Sequence, residues 1–296
     1  MLAPSASSSD RRRLARVAIA LAMVSCVACT STPGFLQSPD QQARAVLSAQ
    51  KFVVVPASTA GAVPLLAAIK PAGAAPRKLT VFIESDGAPW PRTSLPPADP
   101  TPSNPLALKL AAVHLPQRDE AVAYLGRPCQ YLSPAQLAGC PVRWWTIARF
   151  GVEPLALLNR QIDALKAGEP DAALRLVGYS GGGTAAALLA AQRGDVTCLV
   201  TVAAPLDTAA WSLAMKVAPL SESQNPADVA QALQKLRMTH FSGSFDAVVP
   251  AGVNALFMAR ARTREVVQAG FDHDSGWLRA WPALARASCL EDQDRP

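Results

Sequence analysis

The chain has 296 residues, of which half are hydrophobic and 17% are charged, so it can bury a large core. Its formal net charge is +6, but Arg11, Arg12, Arg13 and Arg16 lie near the start. No stripe of basic residues interleaved with aromatic residues follows them, which argues against a nucleic-acid partner.

The N-terminus has the pattern of an export signal. The basic residues 11–13 precede a short apolar run at 17–24, and small residues with Cys26 and Cys29 follow. This run is shorter than the roughly 20 apolar residues that a membrane-spanning helix needs. The pattern therefore predicts a cleaved signal peptide over residues 1–28 and a location in the cell envelope, either the periplasm or the outer membrane.

A cysteine just after the apolar run resembles the lipobox of bacterial lipoproteins, although neither Cys26 nor Cys29 has the usual Leu three positions upstream. The resemblance implies cleavage before one of them and a lipid anchor in the membrane. Acylation of Cys29 would leave an even set of cysteines, and exported proteins tend to pair their thiols. We therefore favour Cys29 over Cys26, with an unlipidated signal peptide as the alternative. The remaining set is Cys129, Cys140, Cys198 and Cys289.

Beyond the signal, Pro, Gln and Ser residues predict a tether over residues 29–50, and one domain accounts for residues 51–296. Within that domain, apolar strand patterns alternate with helical ones. This alternation predicts an α/β fold with a mainly parallel central sheet and helices on both faces. Strands are predicted at 52–55, 62–69, 79–84, 121–125, 174–179, 196–203, 238–242 and 265–268, and helices at 105–114, 152–166, 185–192, within 221–235 and at 275–287.

The central motif is Gly178-Tyr179-Ser180-Gly181-Gly182, which follows an apolar strand and precedes an Ala-rich helix. This is the context that a G-x-S-x-G nucleophile elbow requires, because only small neighbours fit so sharp a turn. Ser180 is the predicted nucleophile, and the N–H of Gly181 is a predicted oxyanion donor. A glycine-rich turn that binds phosphate is the alternative.

A serine nucleophile needs a general base, and the chain has three histidines. His114 falls in a predicted helix and His240 inside a predicted strand, which favours structural roles for both. His273 follows the last predicted strand, at a loop position from which a side chain can reach the serine. We therefore predict that His273 is the base.

The base needs an orienting carboxylate. Asp246 follows the penultimate predicted strand in a Gly-x-x-Asp-x-x-Val-Pro run, and Asp207 is the rival. The order Ser180, Asp246, His273 is that of α/β-hydrolases. A second oxyanion donor is expected after the strand at 79–84, from the N–H of Gly87 or Ala88. No Cys/His spacing typical of a metal site occurs, and we expect no metal.

These motifs, from Ile83-Glu84-Ser85-Asp86-Gly87 to Phe271-Asp272-His273, resemble the α/β-hydrolase superfamily and its exported, lipoprotein-like bacterial members. The resemblance implies a hydrolase without a cofactor that acts on small-molecule or lipid esters, or on thioesters or amides. A non-catalytic binding lipoprotein on the same fold, and a serine peptidase or acyltransferase, are the alternatives. The block at 126–131 looks typical of a family but has no assigned role.

The cysteines of the domain leave one pairing open. Cys129 and Cys140 bracket a loop, which a disulfide would pin. Cys198 lies in a central strand and Cys289 in the last helix, so that they either pair or remain separate buried thiols. The sequence makes no prediction about the oligomeric state.

Overall fold

A computed structural model describes residues 38–56, 63–72, 77–88, 95–168 and 170–291. This part of the chain has eight strands, which are β1 (Val53–Val55), β2 (Ala67–Lys70), β3 (Lys78–Ile83), β4 (Glu120–Leu125), β5 (Ala173–Tyr179), β6 (Val196–Val202), β7 (Arg237–Gly243) and β8 (Glu265–Gln268). They form one sheet in the order β1-β2-β4-β3-β5-β6-β7-β8. β2 runs antiparallel to β1 and β4, and the pairs from β4 to β8 are parallel.

Helices cover both faces of the sheet, which confirms the predicted fold class. The helices are α1 (Pro39–Ala49), α2 (Leu106–Val113), α3 (Pro134–Leu137), α4 (Val152–Lys166), α5 (Gly181–Gln192), α6 (Thr208–Met215), α7 (Pro226–Val229), α8 (Ala255–Ala261) and α9 (Trp277–Arg286), with 3-10 turns at Val142–Trp145 and Ala230–Leu233. One apolar cluster joins the sheet to α4 and α5, and another joins its opposite face to α2 and α9, where Trp277 and Trp281 are fully buried.

The boundary predicted between tether and domain is wrong, because α1 lies inside the predicted tether. Ser38 caps this helix, Pro39 occupies its first turn, and Gln41 completes the capping box. The Pro, Ser and Gln that suggest a linker by composition are here the residues of a helix start. Ala43 and Leu47 are buried against the second apolar cluster. The predicted signal peptide and the tether up to residue 37 lie outside the described residues.

The domain contains two disulfides, one between distant parts of the chain and one within a loop. Cys198 of β6 is bonded to Cys289, just after α9, with their Cα atoms 5.7 Å apart. Cys129 is bonded to Cys140 with a Cα separation of 5.9 Å, which closes the loop after β4. Of the two states left open for Cys198 and Cys289, the structure contains the bonded one. None of the described helices has the length and apolar character needed to cross a bilayer.

Candidate active site

Ser180 lies in the turn between β5 and α5 and adopts φ 51° and ψ −126°. A positive φ is uncommon for a residue with a side chain, and such strain clusters at functional sites. The glycines around it make the turn possible. A Cβ on Gly178 would overlap the backbone of Gly182, and a Cβ on Gly182 would overlap the carbonyl oxygens of Ile83 and Glu84. The turn therefore has the backbone geometry of a nucleophile elbow.

The three residues predicted as a triad form a chain of two hydrogen-bonding contacts with His273 in the middle. The Oγ of Ser180 is 3.0 Å from Nε2 of His273, and Nδ1 of His273 is 2.9 Å from Oδ2 of Asp246. Asp246 follows β7, and His273 follows β8, so that both sit at the edge of the sheet where the elbow lies. In this arrangement the carboxylate can hold the Nδ1–H tautomer, which leaves Nε2 free to accept the proton of Ser180.

Backbone groups hold the carboxylate of Asp246 in place. Its Oδ1 accepts N–H groups from Val248 and Val249, each at 2.8 Å, and its side chain is almost fully buried. The rival acid, Asp207, has a different task. Its Oδ1 accepts the N–H of Ala210 at 3.1 Å and caps α6. Asp246 is therefore the carboxylate that contacts His273.

Hydrogen bonds from Tyr179 and Trp277 hold the loop that carries His273 in place. Tyr179, next to the nucleophile, donates its hydroxyl to Oδ1 of Asp274 at 2.6 Å and lies 3.1 Å from the carbonyl oxygen of His273. Burial, followed by the hydrogen bond to Asp274, raises the pKa of Tyr179 above its usual value. Trp277 also donates its indole N–H to the carbonyl of His273. These contacts place the imidazole without involving its ring nitrogens.

The other two histidines lie away from this site. His240 is 1% exposed and lies in β7, where its Nδ1 is 2.9 Å from the Oγ1 of Thr201. Burial lowers the pKa of His240 from 6.5 to about 4. His114 is buried beside Glu120, with its Nε2 3.2 Å from that carboxylate. Neither histidine contacts Ser180, in keeping with the structural roles predicted for them.

Most N–H groups of the turn after β3, where a second oxyanion donor is predicted, already donate hydrogen bonds. The N–H of Gly87 donates to Ser85 at 3.3 Å, and the N–H of Ala88 donates to the carbonyl of Pro100 at 3.0 Å. Gly87 is needed for another reason, because its φ is +99° and a Cβ there would overlap Pro100. Among residues 85–88, only the N–H of Asp86 makes no hydrogen bond to a described residue. Gly87 and Ala88 therefore stay predicted donors, and the N–H of Asp86 is a further candidate.

A partly buried cluster of charges next to the elbow has no counterpart in the sequence analysis. Arg127 donates its Nη1 to Oδ1 of Asp86 at 3.1 Å and to the carbonyl of Gly181 at 3.0 Å. Arg149 binds the other carboxylate oxygen of Asp86 at 3.0 Å. The guanidinium of Arg127 also lies 5.0 Å above the ring of Phe150. The one sequence signal was the block at 126–131, whose role stayed open.

The turn after β3 is itself anchored by a buried carboxylate. Glu84 accepts N–H groups from Ser85 at 2.9 Å and from Ala107 and Leu108 of α2 at 3.4 Å. Burial raises its pKa above the usual value. Throughout the described ranges, no group of three or more His, Cys, Asp or Glu side chains is placed to hold a metal ion.

No family model matches the chain, and no curated protein matches it in sequence. Solved structures do resemble it. A serine hydrolase of Xanthomonas campestris, described as lacking a lid, is 14% identical, with a TM-score of 0.53 over 83% of this chain and 97% of that one. An esterase domain from a Rhodothermus marinus protein is 15% identical, with a TM-score of 0.51 over 80% of this chain and 99% of that one.

The likeness extends to a larger enzyme. An acylaminoacyl peptidase of Pyrococcus horikoshii is 10% identical, with a TM-score of 0.56. The chain is covered over 83% of its length but spans only 42% of that peptidase. At such identities the likeness concerns the fold. With its mostly parallel eight-stranded sheet flanked by helices, the chain has the α/β-hydrolase fold.

Proposed function

We propose that the protein is a serine hydrolase that cleaves carboxylic esters through an acyl-enzyme on Ser180. The observation that carries this proposal is the hydrogen-bonded chain from Ser180 through His273 to Asp246, at a strained elbow. His273 would take the proton of Ser180 as its Oγ attacks the ester carbonyl, and then give that proton to the leaving alcohol. Water, activated by the same histidine, would release the acid and restore Ser180.

Exposed apolar side chains on α6 and on the loop that carries Asp246 support apolar substrates. Phe245, just before Asp246, is 73% exposed, and Leu213 on α6 is 82% exposed. The indole N–H of Trp211 donates to the carbonyl of Val248 at 2.7 Å, which joins α6 to the loop that carries Asp246. Exposed apolar side chains at a site often contact a ligand. We therefore expect esters with an apolar acyl or alcohol group, from small molecules or lipids, to be the substrates.

The test is labelling of the purified protein with a fluorophosphonate probe. Wild type is expected to be labelled, and Ser180→Ala is expected to lose the label because it lacks the nucleophile. Ser221→Ala, at an exposed serine, is the matched control and should be labelled like wild type. A folded wild type that takes no label would leave the non-catalytic binding lipoprotein as the better reading.

Turnover then separates the chemistries. A panel of chromogenic esters of rising acyl length is compared with matching amides and with an acceptor alcohol. Faster ester than amide cleavage supports the esterase. Faster amide cleavage would favour the peptidase, a class to which one solved structure with this fold belongs. Transfer to the alcohol in preference to water would favour an acyltransferase.

We further propose that the protein is exported and anchored to the membrane through a lipid on Cys29. Support comes from the predicted signal sequence and from the cysteines of the domain, since Cys129, Cys140, Cys198 and Cys289 form two disulfides and need no further partner. Disulfides are typical of an oxidising compartment.

Incorporation of labelled palmitate in bacterial cells tests the anchor. The label should be lost in Cys29→Ser and kept in the matched variant Cys26→Ser. Loss in Cys26→Ser alone would move the anchor to that cysteine. No label in wild type would leave an unlipidated signal peptide.

A further inference from the structure

We propose that Arg127 is a positioning residue for the oxyanion site, a role that rests on the hydrolase function proposed above. It ties Asp86 and Gly181, the two residues that offer free N–H groups, into one unit. It also neutralises the carboxylate that Asp86 brings next to the nucleophile. The block at 126–131 thereby gains a role.

Arg127 links the two residues whose N–H groups face no acceptor among the described residues. The N–H of Gly181 follows Ser180 directly and makes no hydrogen bond to a described residue, and the same holds for the N–H of Asp86. A single nitrogen, Nη1 of Arg127, bonds both the side chain of Asp86 and the carbonyl of Gly181. One guanidinium therefore links the two turns. Donors held in advance stabilise an oxyanion without reorganising during the reaction.

Arg127 also compensates the negative charge of Asp86. The carboxylate of Asp86 lies so close to Gly181 that a Cβ at position 181 would overlap it. An uncompensated negative charge there would oppose the negative charge that develops on the substrate carbonyl oxygen. Arg127 and Arg149 each bind one carboxylate oxygen. The two guanidinium groups offset the carboxylate and leave a net positive charge beside the oxyanion site.

Several contacts hold Arg127 and its loop in place. The side chain of Arg127 is only 4% exposed, and its Nη2 donates to the carbonyl of Arg149 at 2.6 Å. Gln130 accepts the backbone N–H of Arg127 at 3.0 Å and donates its amide to the carbonyl of Ser85, also at 3.0 Å. The disulfide from Cys129 closes the same loop. The loop thus braces the turn after β3 from outside the sheet.

Steady-state kinetics and binding of phenylboronic acid, which forms a tetrahedral adduct on a reactive serine, test the proposal in Arg127→Met. We expect kcat to fall by about 100-fold with KM nearly unchanged, as for removal of one oxyanion contact, and boronate affinity to fall in step. Arg127→Lys should lie between wild type and Arg127→Met, because an ammonium keeps the charge but not the planar fork. Arg193→Met, which removes a guanidinium bonded to Asp163 and Asp195, is the matched control and should keep wild-type kcat and boronate affinity.

A second variant isolates the charge. Adding Asp86→Asn to Arg127→Met should recover at least about tenfold in kcat, because the uncompensated carboxylate is gone. A folded Arg127→Met with wild-type kcat and boronate affinity would overturn the proposal, and so would a fall in kcat without a fall in boronate affinity. If Arg127→Met does not fold, Arg127→Lys is judged by the same two readouts. Wild type that fails to react with a fluorophosphonate would instead refute the hydrolase function.

Discussion

His240 makes the stability of this fold depend on pH, and the size of the effect can be worked out. The side chain is buried in β7, and burial lowers its pKa from 6.5 to about 4. Between these values the unfolded chain binds a proton that the folded chain excludes. Stability rises with pH wherever the unfolded state binds more protons than the folded state. The contribution is therefore fully present above the unfolded pKa and is lost as the pH falls from 6.5 towards 4.

The two pKa values give the magnitude. Integrating the difference in bound protons between pH ~7.5 and pH ~5 gives a loss of about 2 kcal/mol in the free energy of unfolding. The matched variant is His240→Gln, which cannot titrate in this range and keeps a polar group for Thr201. It should lack this part of the loss. Its hydrolytic activity should stay near wild type, because His273 is the proposed base.

Urea unfolding of both proteins at the two pH values measures this effect. The quantity of interest is the pH-dependent loss in wild type minus the loss in His240→Gln. Taking the difference removes contributions that both share, such as that of the buried carboxyl of Glu84. It also removes any uniform destabilisation by the substitution. Equal losses in the two proteins would refute the assignment of a depressed pKa to a buried, neutral His240.

Three further outcomes are expected. Asp246→Asn should lower kcat about 10⁴-fold in steady-state assays with little change in melting temperature, because the amide no longer favours the required tautomer of the base. A kcat within tenfold of wild type would contradict this prediction. Gly181→Ala should lower kcat about 100-fold, because the added Cβ overlaps the carboxylate of Asp86 and should push that residue, with its proposed donor N–H, away from the oxyanion site. Gly194→Ala, where a Cβ meets no atom within 4 Å, should be neutral, and equal kcat in the two variants would contradict this prediction. Replacing both Cys198 and Cys289 by Ala opens a link across 91 residues and should cost up to about 4–5 kcal/mol in urea unfolding, and an unchanged midpoint would contradict the disulfide.

The features that sequence could predict are those with local signals. The helix predicted over 152–166 has the observed bounds of α4, because its apolar residues recur at helical spacing. The positions of Ser180, Asp246 and His273 followed from one rule: they follow parallel strands, whose carboxyl ends meet at one edge of the sheet. This rule linked the five-residue motif around Ser180 to two triad residues that lie more than 60 residues away along the chain.

Some helices gave no usable local signal. α6 and α8 are short and lie where the sequence shows only mixed apolar residues. α1 was taken for a tether because Pro, Ser and Gln dominate its start. The same residue types serve loops and helix caps, and burial of one face decides between the two. That decision depends on contacts with α2 and the sheet, which lie far away along the chain.

The cluster of charges next to the elbow could not be predicted from the sequence, for a different reason. The pair of Arg127 and Asp86 spans 41 residues, and the pair of Arg149 and Asp86 spans 63. Each residue alone has the properties of an ordinary loop charge. Only the folded arrangement shows that they converge on Gly181 and that Arg127 is buried there.

Burial of Arg127 is itself an argument for its function. Burying paired charges gives little net stability, and apolar residues of similar size often stabilise a core more. The fold has a second buried arginine, Arg175, at the other end of the sheet, where it donates to the carbonyl of Leu290 at 2.8 Å and fastens the chain after α9. Arg127 fastens no terminal segment. It bonds the two turns that flank Ser180. The cost of burying its charge is therefore offset by the benefit to the reaction of holding the N–H donors in a fixed arrangement.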